Sequence, residues 1–122
     1  MIIKLAKILD VEEPLSEIMK AQLPLKLAYI LGKLVKTIGI ELREFHILRE
    51  KLIKSLGVPG DNDTYKIEDE ANKEVFTNEL NDLASIDVDL VGFEPISISE
   101  LDGVDIKMSP MHMSALSEFF KD

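Results

Sequence analysis

PLKLAYILGKLVKTIGIELREFHILREKLIKSL, residues 24–56, is the stretch whose reading decides the fold. Leu31, Ile38, Phe45 and Leu52 lie seven apart, and Val35, Leu42 and Leu56 fall four residues after three of them. Apolar side chains at that spacing line one face of a helix, so the segment reads as one long amphipathic helix with Phe45 in its core face. Leu23-Pro24 sets its start, because the residue before proline avoids the helical region while proline suits a first turn. A helix of this length extends roughly 50 Å at 1.5 Å per residue. The compact radius for a chain of this size is only about 13–14 Å, so the helix must project, bend or pair. Gly32 and Gly39 share a face, where they either admit a close backbone or weaken the helix.

Outward from that segment, Gly57-Val58-Pro59-Gly60-Asp61-Asn62-Asp63 reads as a loop over 57–66. Ile67, Ala71, Val75, Phe76, Leu80 and Leu83 then predict a second helix over 67–84. The short connection implies an antiparallel helical hairpin in which the second helix covers the latter half of the first. Upstream, Ile3 and Leu5 alternate as in a strand, whereas Ile2, Leu5, Ile8 and Leu9 also fit a helical face. The favoured reading of residues 1–22 is a short strand entering a helix, with Asp10, Glu13 and Pro14 forming a helix start and the helix ending near Gln22. In residues 86–122 the pattern changes to period two. Ile86, Val88 and Leu90, then Ile96 and Ile98, then Val104, Ile106 and Met108 alternate with polar residues as in short half-buried strands. Ser109-Pro110 starts a closing helix carrying Met111, Ala115, Leu116, Phe119 and Phe120. The fold class expected is mainly α (α+β): a helical hairpin with a long central helix, short strands and a C-terminal helix, in a single domain spanning 1–122.

With 46% hydrophobic and 30% charged residues in 122, the composition is that of a soluble globular chain able to bury one core. No run approaches the roughly 20 apolar residues of a membrane span, and Met1-Ile2-Ile3-Lys4 is too short before its charges for a signal peptide. The absence of cysteine excludes disulfides and thiolate chemistry. No tryptophan, two tyrosines and five phenylalanines leave few platforms for stacking bases. The net charge of −9 is unevenly spread: residues 1–56 hold ten Lys/Arg and seven Asp/Glu, residues 57–122 four and sixteen. Either the halves attract each other within the chain, which is the bland reading, or the acidic half faces a basic partner.

Chemistry-bearing residues are few. His46 and His112 are the only side chains that ordinarily titrate near neutrality, and neither has an identifiable partner in sequence. Met108, Met111 and Met113 around His112 are a thioether–imidazole set of the kind that ligates copper, yet methionines near a helix start serve more often as packing. Asp61 and Asp63 open like a calcium loop, but Tyr65 and Lys66 follow and Asn72 stands at the twelfth position, so the spacing fails. Glu68, Asp69 and Glu70 suit a helix N-terminus. The six glycines make no phosphate loop. Lys26, Lys33, Lys36, Arg43, Lys51 and Lys54 give the long helix positive charge, interrupted by Glu41, Glu44 and Glu50, so direct nucleic-acid binding is disfavoured. No catalytic, cofactor or metal site is expected.

The order Gln22-Leu23-Pro24, Ala28-Tyr29, Glu44-Phe45 with Arg49, a Gly/Asp-rich loop, Phe76 to Leu80, Ile96-Ser97-Ile98 with Leu101, Ser109-Pro110 and Ala115-Leu116 resembles small, acidic, helical proteins of tailed bacteriophages and prophages. The resemblance implies a viral context and non-enzymatic protein contacts, and it supplies no site residues. The expected partner is a phage structural or host protein, or, because the long helix exceeds its cover, a second copy through that helix, and the expected location is the host cytoplasm or the virion. An acidic inhibitor that imitates a phosphate backbone before a host nucleic-acid-binding protein is the alternative.

Overall fold

Leu5, Ile8, Val11, Leu15 and Ile18 recur at spacings of three and four and form the buried face of helix α1 (Leu5–Ile18). The computed structural model describes all of residues 1–122 and is mainly helical, with a few short strands. The helix does not begin at Asp10 as expected. It begins at Leu5, whose N–H donates 2.9 Å to the Ile86 carbonyl, and Pro14 lies buried inside it. The continuous apolar stripe prevails over the local start signal, because burying that stripe outweighs the single N–H that proline removes. The helix also stops at Ile18, short of Gln22, in a turn closed by the Lys20 and Ala21 N–H groups.

Helix α2 (Leu25–Leu56) is continuous, with Pro24 before it. Leu27, Leu31, Leu34, Ile38, Leu42 and Phe45 are its buried residues, in one cluster of 18 with those of α1. Val35 is exposed and Leu52 half-buried, so the expected stripe is rotated slightly toward Leu27 and Leu34. Beyond Phe45 no residue of α2 is buried, nor is any residue of α3 (Glu70–Ala84). The expected loop between them holds a two-stranded hairpin, β2 (Val58–Pro59) and β3 (Tyr65–Lys66), around a tight turn over Asp61–Asp63. Asn62 and Asp63 take left-handed φ values of 57° and 58°, which short polar side chains tolerate. Gly57 is required at the end of α2, since a Cβ there would lie 2.7 Å from the Ile53 carbonyl oxygen and 3.1 Å from that of Lys66. Asp69 caps α3 by accepting from the Asn72 N–H, which is why this helix begins at Glu70 and not at Ile67.

Strand β1 (Ile2–Lys4) pairs antiparallel with β4 (Asp87–Asp89), setting Ile3 opposite Val88 on the buried side. Strand β5 (Ile96–Ser97) pairs in parallel with β6 (Phe120–Lys121). Residues 104–108 form no strand, although Val104, Ile106 and Met108 are half-buried and their neighbours exposed. The alternation there reflects one-sided burial of a segment that has no pairing partner. The closing helix α4 (Pro110–Leu116) starts as expected on Ser109, but it ends at Leu116. A 3-10 turn over Ser117–Phe119 then buries Phe119, edge-to-face on Phe93 at 5.8 Å, and Phe120 passes into β6.

Two residues on one turn of α2 separate the core face from the outer face. Phe45→Ala should cost about 3–5 kcal/mol in urea unfolding. Ile47→Ala, on an exposed residue of the same turn, should stay within about 0.5 kcal/mol.

Candidate functional site

At 100° per residue, Tyr29, Lys33, Lys36, Ile40, Arg43, Ile47, Lys51 and Lys54 fall within roughly 40° of one line along α2. That line lies opposite Leu27, Leu31, Leu34, Ile38 and Phe45, so core burial turns a mixed basic and apolar stripe outward. All eight residues are exposed, and the Lys33 ammonium sits 4.9 Å above the Tyr29 ring.

The acidic half does not neutralise this stripe. Its carboxylates reach the basic half elsewhere, through Lys4–Asp87 at 2.6 Å, Lys7–Glu118 at 3.8 Å and Lys26–Glu100 at 3.9 Å. Lys33, Lys36, Arg43, Lys51 and Lys54 make no ion pair. Attraction between the halves is therefore real at β1, α1 and the start of α2, and absent along the outward face. Gly32 and Gly39 have nothing within 4 Å of where a Cβ would stand, so no other part of the chain uses them for close approach. Gly39 instead lines an apolar groove between α1 and α2, with Leu15, Met19, Val35 and Leu42.

A second group of polar residues forms where α4 packs on α1. Glu13 and Glu17 stand one turn apart on α1, and α4 brings His112 to them, with the three sets of ligand-type atoms within 4.8 Å of one another. The His112 Nδ1 lies 3.2 Å from Glu17 Oε2. That contact is an ion pair when the ring is protonated, but it is not aligned as a hydrogen bond, and the Nδ1 atom itself is shut from solvent. A cleft of about 840 Å³ opens beside it, bordered by Lys7, Asp10, Glu12, Glu13, Met111, His112 and Glu118.

His46 is exposed and makes only an edge contact with Phe45 at 5.7 Å. Of the methionines around His112, Met111 and Met113 are exposed and Met108 packs against the core. The imidazole meets carboxylates, a grouping that the reading of Glu13 as a helix-start residue hid. The four-residue spacing of Glu13 and Glu17 was the available signal. No helix is long and apolar enough to cross a membrane. Comparison of the chain with protein-family models, with curated proteins and with solved structures finds no match.

Ser109 holds the helix that carries His112 by accepting from the His112 N–H at 3.2 Å. Ser109→Ala should lower stability by about 1 kcal/mol, read as a reduced midpoint in urea.

Proposed function

We propose that this protein is a non-enzymatic interaction module, a virion component or assembly accessory in a tailed-phage or prophage setting, which docks an acidic protein surface along the outward face of α2. The observation that carries the reading is the unneutralised stripe from Tyr29 to Lys54, in which exposed Ile40 and Ile47 alternate with Lys and Arg. Apolar contacts flanked by unpaired charge suit a protein surface better than a phosphate backbone, which needs the charge alone. In this reading α2 and α3 form an antiparallel helical hairpin that projects as the docking arm. Supporting it, the Asn72 side chain donates to the Leu56 carbonyl at 3.2 Å, and the Arg49 guanidinium lies 5.7 Å from the Phe76 ring.

The chain itself carries a complementary surface, since Glu74, Glu79 and Asp82 of α3 are exposed and make no ion pair. A second copy is thus one candidate partner and a phage structural protein another. The same carboxylates favour a second reading, in which the acidic half occupies the nucleic-acid site of a host protein. That reading requires binding to compete with DNA and to weaken steeply with salt.

Light scattering over a tenfold range of protein concentration at two salt concentrations, with crosslinking to purified phage structural proteins, tests the docking face. The double charge reversal Lys36→Glu with Arg43→Glu should abolish the association while leaving the unfolding midpoint nearly unchanged, because both side chains are exposed. A strict monomer that crosslinks to none of those proteins, or an association indifferent to the reversal, would overturn the reading.

A further inference from the structure

We infer that Glu13, Glu17 and His112 form a binding site for one divalent transition-metal ion that clips α4 onto α1. The sequence offers only the four-residue spacing of Glu13 and Glu17 toward such a site and nothing that joins them to His112. It depends on a docking geometry that brings the first turn of α4 beside the third and fourth turns of α1.

The His112 Nδ1 is shut from solvent with no aligned hydrogen bond, although Glu17 Oε2 lies 3.2 Å away. A buried ring nitrogen without a hydrogen-bond partner is uncommon in a folded protein, and each instance calls for a physical cause. Coordination supplies one, because a neutral imidazole offers Nδ1 as a lone pair to a metal. The nitrogen is already 3.2 Å from Glu17 Oε2, close to the separation of about 3.3 Å between neighbouring ligands on a tetrahedral ion with bonds near 2.0 Å. Glu13 is exposed and one helical turn away, so rotation of its side chain brings its carboxylate in from within 4.8 Å.

Charge selects the ligand class. Two carboxylates at the cluster, with Asp10, Glu12 and Glu118 on the cleft and only Lys7 opposing them, make a site for a cation and not for an anion. The donor set selects further. One imidazole with two carboxylates suits zinc or another first-row divalent ion, whereas calcium and magnesium take oxygen ligands. Three protein ligands leave at least one position open toward the cleft, for water or for a carboxylate of a docked partner.

The probe is cobalt(II), added to protein freed of metal with a chelator and followed by visible absorption, with zinc(II) as competitor and with thermal unfolding in parallel. We expect one cobalt per chain with ligand-field bands that zinc abolishes, and a rise in Tm with either ion, because an ion held between α1 and α4 binds only the folded chain. Glu13→Gln should weaken binding about tenfold or more without moving the Tm of the metal-free protein, since Glu13 is exposed and makes no ion pair. His112→Gln should remove the ligand-field bands. Absence of stoichiometric cobalt binding, or binding that Glu13→Gln leaves unchanged or that Glu68→Gln weakens equally, would overturn the inference.

Discussion

Everything in this molecule depends on the inner face of α2 being buried in one core with α1 and the segment carrying Leu90, Phe93 and Ile96. Leu27, Leu31, Leu34 and Ile38 are almost wholly buried, as are Ile8, Val11, Leu15 and Ile18. Each such side chain contributes about 1.5–3 kcal/mol relative to exposure, and the eight together far exceed the helix caps, at about 1 kcal/mol each, and the exposed ion pairs. That contact fixes the rotation of α2 about its axis. Once the core face is set, the remaining faces have no freedom, and the stripe from Tyr29 to Lys54 must look outward. It also sets α1, and with it the position of Glu13 and Glu17 relative to whatever packs behind them.

The C-terminal segment is held by different means. Helix α4 has seven residues, too few to persist unaided, and its order derives from Leu116, Phe119 and the β5–β6 pairing that follows. His112 is therefore placed by a local cap from Ser109 before it and by the packing of Leu116 and Phe119 after it. The grouping of His112 with the carboxylates is a property of the assembled chain and not of either helix.

How much of this was legible in the sequence follows from the range over which each signal acts. The long helix, the capped start of α4 and the mainly helical character were readable, because periodicity and capping are local. The start of α1 was misplaced because Asp10, Glu13 and Pro14 imitate an N-terminus, while the Leu5–Ile18 stripe gains its weight only from burial. Residues 104–108 show the converse: their alternation is genuine, yet a strand needs a partner, and none lies alongside. The outward stripe is half visible in the sequence: Lys33, Lys36, Arg43, Lys51 and Lys54 stand out as basic residues, while the exposure of Ile40 and Ile47 and the want of intramolecular counter-ions do not. The Glu13–Glu17–His112 cluster joins two segments almost a hundred residues apart, and no spacing rule acts at that distance.

The unbroken helix also makes the molecule a gauge. At 1.5 Å per residue, Tyr29 and Lys54 stand about 37 Å apart along a single rigid axis. A partner that engages both ends must present a surface of that length, such as a helix of roughly 25 residues or adjoining subunits of an assembly. A smaller globular partner would engage only part of the stripe. The length of one element thus sets a lower limit on the size of what fills it.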